Sequence, residues 1–135
     1  MADSFNFELV SPERLLLSTT VTEVVIPGTD GEMTVMAQHS PTMTTIKPGV
    51  VTVVTAEGQR DQFVVFGGFA DILPGGCTLL AESAVAVADI NRDDLNRRLQ
   101  DAREDVADAT GDAAKQKAQE YLDQLTTLNG AILPA

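Results

Sequence analysis

The sequence offers few side chains that could perform acid–base or nucleophilic chemistry. His39 is the single histidine and Cys77 the single cysteine of the 135 residues. Paired with Cys77 or a nearby serine, His39 would complete a dyad, but no G-x-S-x-G elbow or other local signature accompanies them. Zinc takes several Cys and His ligands, and one of each does not supply them. We predict no catalytic or metal-binding residue; a small hydrolase built on His39 stays as an alternative.

Glycine pairs and carboxylates also have simpler explanations than ligand binding. Gly67-Gly68 and Gly75-Gly76 match neither a P-loop with its lysine nor a dinucleotide fingerprint, so we interpret them as bends between strands. Turn and helix-cap roles explain Asp30, Glu32, Asp93 and Asp94, the charged helix faces are most simply solvated surface, and no EF-hand pattern is present. The sequence therefore predicts no cofactor.

Charge and segment composition exclude several classes of partner. The formal net charge is -11, from 20 acidic and 9 basic residues, which argues against binding nucleic acid or an anionic lipid surface. A lone cysteine is typical of the reducing cytosol. The chain shows no signal-like apolar run and no stretch near the roughly 20 apolar residues that cross a bilayer. We expect a cytosolic protein whose membrane association comes only through a protein partner.

Residues 1–88 predict an all-β domain. Phe5, Phe7 and Leu9 alternate at period two, and a second run at 15–17 follows after a Ser-Pro-Glu turn. The segment TVTEVVIPGTDGEMTVM predicts a hairpin in which Pro-Gly and Asp-Gly supply the turn. Further β-rich runs are Val50 to Thr55, Gln62 to Phe66, Phe69 to Leu73, Thr78 to Ala81 and Val85 to Ala88. A bulge or bend at Gly67-Gly68 would join two of them. The expected fold is a two-sheet β-sandwich.

Residues 89–135 predict an antiparallel two-helix hairpin. Asn91 is an N-cap, and an apolar stripe follows at helical spacing. Gly111 is the expected C′ residue of the first helix and Asp112 the N-cap of the second, which should end at Asn129-Gly130. The two stripes consist of Leu95, Leu99, Ala102 and Val106, then Ala114, Ala118, Tyr121, Leu122, Leu125 and Leu128.

Several β runs are apolar on both alternating faces. They are 24–26, 50–54 and 63–66, where a strand with one wet face would alternate with polar residues. Two explanations stay open: the helical hairpin covers these outer faces, or a partner protein does.

Five strings occur together in a recognisable order: VSPE at 10–13, IPGTDGEMTVMAQHSP at 26–41, IKPGVV at 46–51, FVVFGGF at 63–69 and LLAESA at 79–84. They resemble the epsilon subunit of F-type ATP synthases, whose mitochondrial equivalent is called delta, over nearly the whole chain. The resemblance implies a central-stalk rotor subunit without chemistry of its own, which grips the gamma subunit, touches the c-ring and couples proton flow to ATP synthesis. The absence of a transit peptide favours a bacterial protein, peripheral to the cytoplasmic face of the inner membrane.

The resemblance also implies positions for the partner contacts. The turn that faces the c-ring corresponds to Asp30, Gly31 and Glu32. The stretch that faces gamma corresponds to His39, Ser40 and Pro41. Without the resemblance, Glu32 is a surface turn carboxylate and His39 a packed, hydrogen-bonded histidine.

Some members of this family bind ATP on the helical hairpin through a pattern near I-D-x-x-R-A. Here the corresponding string is INRDDL, so the motif acid is Asn91, the motif arginine is Asp94, and the second helix has no arginine. Because a triphosphate needs compact positive charge, we expect weak or absent ATP binding. Contact of the hairpin with the alpha/beta catalytic head can slow ATP hydrolysis in the family; ten acidic against six basic residues between 89 and 135 make that inhibition doubtful.

A function from another class remains as the alternative. A stand-alone β-sandwich could bind a small ligand or carbohydrate, with the helices serving for dimerisation. The chain has no Trp and one Tyr, which weighs against stacking on sugars.

Overall fold

The computed structural model describes residues 4–132, which divide into two compact units between Ala86 and Val87. The division falls beside the boundary expected at residue 88. The first unit contains seven strands, and their bounds are β1 Phe5–Val10, β2 Leu15–Gly28, β3 Gly31–Met36, β4 Thr42–Thr55, β5 Arg60–Leu73, β6 Gly76–Ala81 and β7 Ala84–Ala86. The second contains a 3-10 turn at Val87–Asp89 and the helices α1 Arg92–Asp108 and α2 Asp112–Ile132.

The strands of the first unit form a closed ring. Their order is β1-β6-β5-β4-β2, and β1 pairs with β2 as well, while β3 and β7 add to the ends of β2 and β5. Only the β1–β6 pairing is parallel among the pairings of the described strands. Because the ring is closed, five strands have neighbours on both sides. This pairing satisfies the hydrogen-bonding groups that a sheet edge would expose. The predicted β-sandwich is confirmed, with long strands that run continuously through it.

The period-two prediction for β1 is confirmed. Phe5, Phe7 and Leu9 are buried in the core, and the residues between them are exposed. The core adds side chains from every long strand, among them Val24, Ile26, Val51, Val53, Val65, Ile72 and Leu79. Burial of such side chains contributes about 1.5–3 kcal/mol each before conformational entropy is subtracted.

The separate runs predicted at 15–17 and 20–26 belong to one strand, β2, and the prediction of a Pro27-Gly28 turn is wrong. Both residues lie inside β2, and the turn is Thr29-Asp30. Pro27 is tolerated because the β2–β4 register shifts between Val25 and Gly28, where the missing N–H is not needed.

Gly67 and Gly68 form the predicted bend within a single strand, β5. Both have φ in the left-handed region, at 115° and 138°. Before the bend β5 pairs with β7, and after it with β6. A Cβ added at Gly68 would lie 2.0 Å from the carbonyl oxygen of Leu80, so the backbones are too close for any side chain. The strand predicted to run to Ala88 is β7, and it ends earlier, at Ala86, because the chain turns at Val87–Asp89.

The second unit is the predicted pair of helices. Asn91 caps α1 as expected, because its Oδ1 accepts from the backbone N–H groups of Asp93 at 2.8 Å and Asp94 at 3.3 Å. The helices pack on each other, and the buried members of their stripes are Leu95, Leu99, Ala102, Leu125 and Leu128.

Two details of the helix ends differ from the prediction. Gly111 is not the C′ residue of α1, and Asp112 is not the N-cap of α2: the carbonyl of Gly111 accepts the N–H of Lys115 at 3.1 Å, which makes Gly111 the N-cap and Asp112 the first residue of α2. α2 also does not stop at Asn129-Gly130 but continues to Ile132. Glycine costs only about 1 kcal/mol inside a helix, and Ile132 extends the stripe of Leu125 and Leu128 at helical spacing.

We predict that Gly68→Ala destabilises the β unit by about 2–4 kcal/mol, because it adds a steric clash to an unfavourable φ. Urea denaturation measures the free energy of unfolding. The matched control is Gly75→Ala, where a Cβ meets nothing within 4 Å, and we expect a change within about 0.5 kcal/mol. Equal stabilities for the two variants would contradict the close approach of β5 and β6.

Candidate partner-binding surfaces

The first candidate surface is the turn between β2 and β3. Gly28 lies opposite Gly31, whose φ of 134° suits glycine. Thr29 ties the turn to β4, since its N–H donates to the carbonyl oxygen of Thr45 at 3.1 Å and the two hydroxyls lie 2.8 Å apart. The predicted residues of this turn, Asp30, Gly31 and Glu32, are all exposed. The result is an acidic tip held firmly on the β unit.

The second candidate surface is the loop at residues 37–41 between β3 and β4. Gln38 adopts a φ of 62°, and its N–H donates to the carbonyl oxygen of Pro74 at 3.0 Å. Nδ1 of His39 donates to the carbonyl oxygen of Ser40 at 2.9 Å, which leaves Nε2 for another partner. His39 is half-buried, whereas Ser40 and Pro41 are exposed. His39 thus has its own hydrogen bond and still contributes to the surface.

The structure does not bring these two surfaces together. They flank β3, and a strand of its six residues spans about 17–20 Å. The turn and the loop are therefore separate features at the two ends of one strand.

A third surface was missed in the sequence. Val10, Leu80 and Phe69 lie directly opposite one another on β1, β6 and β5, and Leu15 of β2 lies opposite Val10. We call these four residues the apolar row. Leu15 is 53% exposed, Phe69 39% and Leu80 37%, so a continuous strip of apolar surface crosses four strands. No local pattern could indicate it, because the pairing of Val10 with Leu80 joins distant parts of the chain.

Two more exposed apolar residues share this face nearer the loop at 37–41, with Asp71 between Phe69 and Leu73. Met43 precedes Thr45, which lies opposite Phe69, by two residues, and Leu73 follows Phe69 by four; both are exposed. Residues two and four apart on a strand share a face. Pro74, which accepts the hydrogen bond from Gln38, directly follows Leu73. The loop therefore borders the face that carries the apolar row.

His39 and Cys77 do not form a nucleophilic pair. Cys77 belongs to the core and is 2% exposed, whereas His39 lies in the surface loop. Burial, with a smaller contribution from Asp71, raises the pKa of the Cys77 thiol from 9.0 to about 11. Because the thiolate is the nucleophile, this environment opposes catalysis by Cys77.

Within residues 4–132, no three or more His, Cys, Asp or Glu side chains are grouped so that they could hold a metal ion. No helix there has the length and apolar character needed to cross a membrane.

Asp93 and Asp94 lie in the first turn of α1. Both backbone N–H groups donate to the Asn91 side chain, and the carboxylate of Asp94 forms an ion pair with Arg97. The cap prediction for these acids is confirmed.

A closed β unit followed by a pair of helices defines the class of small two-unit proteins in which a β-sandwich domain precedes a helical hairpin. Residues 4–87 match the sequence model of the ATP synthase delta/epsilon chain β-sandwich domain. The chain belongs to the ATP synthase delta/epsilon chain family, and the resemblance seen in its sequence is confirmed.

Full-length relatives agree with this assignment. The ATP synthase epsilon chain of Mesorhizobium japonicum is 70% identical over 135 residues, covering all of both chains. That of Rhizobium etli is 61% identical over 132 residues, or 98% of each chain.

Solved structures extend the comparison to assembled complexes. A chain in the cryo-EM structure of the Euglena gracilis mitochondrial ATP synthase, OSCP/F1/c-ring in rotational state 1, superposes with a TM-score of 0.74 at 26% identity, covering 96% of this chain and 81% of that one. A chain in the central stalk/c-ring structure from Tetrahymena thermophila shares the fold, with a TM-score of 0.67 at 12% identity over 93% and 96%.

We predict that Cys77 resists alkylation in the folded protein. A rise in pKa from 9.0 to about 11 lowers the thiolate fraction at pH 8 about a hundredfold, and burial blocks access further. The rate of iodoacetamide labelling at pH 8, followed by mass spectrometry with and without urea, tests this. Comparable rates for the folded and unfolded chain would show that the thiol is accessible.

Proposed function

We propose that this chain is the central-stalk rotor subunit of a bacterial proton-translocating ATP synthase, a non-catalytic part that links the gamma subunit to the c-ring. The observation that carries the proposal is the apolar row on the outer face of a β unit from the delta/epsilon family. Such exposed apolar area on a small monomer marks a protein interface. The membrane location follows from the complex, at the cytoplasmic face of the inner membrane.

Gamma is the proposed occupant of the apolar row and of the adjoining loop with His39, Ser40 and Pro41. The hydrogen bond from Gln38 to Pro74 holds this loop beside the end of β5, so one partner can cover both. Aromatic and aliphatic side chains at the centre of an interface contribute most of its binding energy, which singles out Phe69 and Leu80.

The c-ring is the proposed partner of the turn with Asp30, Gly31 and Glu32. This turn is exposed, polar and separated from the loop by the length of β3. A rotor subunit needs two such separated contacts, since it must hold gamma with one surface and the ring with another. The turn's hydrogen bonds to Thr45 keep the contact in place under load.

Weak or absent ATP binding is proposed for the helical pair. At the motif position of arginine, Asp94 adds a negative charge, and its carboxylate forms an exposed ion pair with Arg97. Asn91, at the motif position of the acid, is occupied with capping α1. A triphosphate would meet an anion where the family motif offers a cation.

We further propose that the helical pair inhibits ATP hydrolysis little. Contact with an acidic surface of the alpha/beta head would require positive charge, and the helices are acidic overall. Because the chain belongs to this family, we do not propose the two alternatives, a stand-alone ligand-binding module or a hydrolase.

The gamma contact predicts that Phe69→Asp and Leu80→Asp each weaken binding to the cognate gamma subunit roughly 10- to 100-fold, since each buries an unpaired charge. Calorimetric titration of purified gamma measures the affinity. Ala56→Asp, in the exposed turn between β4 and β5, adds the same charge elsewhere and is the matched control.

Circular dichroism and the thermal midpoint establish that each variant is folded. If a folded Phe69→Asp or Leu80→Asp variant bound gamma as tightly as the Ala56→Asp control does, gamma would not be the occupant of the apolar row. Glu32→Lys distinguishes the two partners. The variant should still bind gamma, but less of the assembled head should stay bound to vesicles that contain the c-ring.

The charge pattern of the helices predicts that any Kd for MgATP exceeds about 1 mM. Titration of MgATP into the chain up to that concentration should therefore give no detectable heat. The charge pattern also predicts that deleting residues 89–135 changes ATP hydrolysis by the assembled complex less than about twofold. Micromolar affinity for MgATP, or strong activation by the deletion, would overturn the proposal. The Asn91→Asp/Asp94→Arg double variant, which restores the motif residues, serves as the comparison and should bind MgATP more tightly.

A further inference from the structure

Two methionines stand out on the surface of the β unit. Met43 is 68% exposed and Met36 is 58% exposed, more than any other large apolar side chain among the described residues. They flank the loop at 37–41, Met36 as the last residue of β3 and Met43 as the second of β4. Met33, on the same strand as Met36, instead packs against the core.

The hydrogen bonds of the loop also fix these two positions. The carbonyl oxygen of Met36 accepts the N–H of His39 at 3.3 Å. Thr42, which immediately precedes Met43, donates its hydroxyl to the carbonyl oxygen of Ser40 at 3.0 Å. Met36 and Met43 therefore border the loop, one on each side, and Met43 shares the face of the apolar row.

An exposed thioether is a substrate for peroxide. The sulfur lone pair attacks one oxygen of hydrogen peroxide, an S–O bond forms as the O–O bond breaks, and proton transfer releases water. The sulfur is oxidised to the sulfoxide by two electrons, and the peroxide is reduced. The product is polar and chiral where the parent side chain was apolar and flexible.

We propose that Met36 and Met43 form an oxidation site on the unassembled chain, and that their conversion to sulfoxides weakens binding to the protein that covers the loop. The second part rests on the proposed function, which places gamma there. A sulfoxide buried without a hydrogen-bond donor pays an uncompensated desolvation cost, so a loss of roughly tenfold in affinity is expected. Reduction by methionine sulfoxide reductase restores the thioether.

The site itself is tested by oxidation rates in the free chain. The protein is exposed to dilute hydrogen peroxide, and tandem mass spectrometry follows each methionine with time. Met36 and Met43 should oxidise several-fold faster than Met33, which is half-buried. Equal rates for all three residues in the folded chain would overturn the site.

The consequence for binding is tested by titrating gamma with untreated, oxidised and enzymatically re-reduced protein. Oxidation should lower the affinity roughly tenfold, and re-reduction should restore it. The Met36→Leu/Met43→Leu variant, whatever its own affinity, should lose nothing further on treatment. Met33→Leu, the matched control, should stay sensitive.

The outcomes separate the two proposals. An untreated chain that does not bind gamma would overturn the proposed function, while the oxidation rates would still decide the site. An untreated chain that binds gamma, and binds equally after both methionines are oxidised, would overturn the inference alone.

Discussion

The pairing of β1 on both of its edges is the interaction on which the rest of the β unit depends. β1 is antiparallel to β2, its neighbour in the chain, and parallel to β6, so that Asn6 lies opposite Gly76. Joining such distant residues costs loop-closure entropy, and the burial of Phe5, Phe7 and Leu9 offsets it. This closure also creates the apolar row, because it places Val10 between Leu15 and Leu80.

The surfaces of the β unit are held by hydrogen bonds to β4 and to the turn between β5 and β6. The β2–β3 turn is tied to Thr45, and the loop at 37–41 is tied to Pro74. A contact that transmits torque must keep its position relative to other contacts, and backbone hydrogen bonds supply that stiffness. For the proposed rotor function, a ring that carries two contacts on anchored segments is the appropriate construction.

Local features of the fold could be predicted from the sequence, whereas features that depend on distant pairing could not. The alternation in β1, the bend at Gly67-Gly68 and the Asn91 cap involve residues close in the chain, and all three are confirmed. The place of Pro27 inside β2 depends on a register shift against β4, which no local pattern reveals. The contact residues of the turn and loop came from family resemblance, and their partners stay predictions. The apolar row could not be predicted from the sequence because its members come from four strands.

The polar residues beside the apolar row restrict what can cover it. Glu8 lies opposite Thr78, which lies opposite Asp71, and Asp71 lies opposite Met43, so an acidic line runs next to the apolar one. A second copy of this chain would bring like charges together on a molecule of net charge -11. Apolar contact combined with acidic flanks instead selects a different protein that presents an apolar patch bordered by basic groups. The proposed gamma surface must therefore carry both features, and its basic groups should lie where Glu8 and Asp71 meet it.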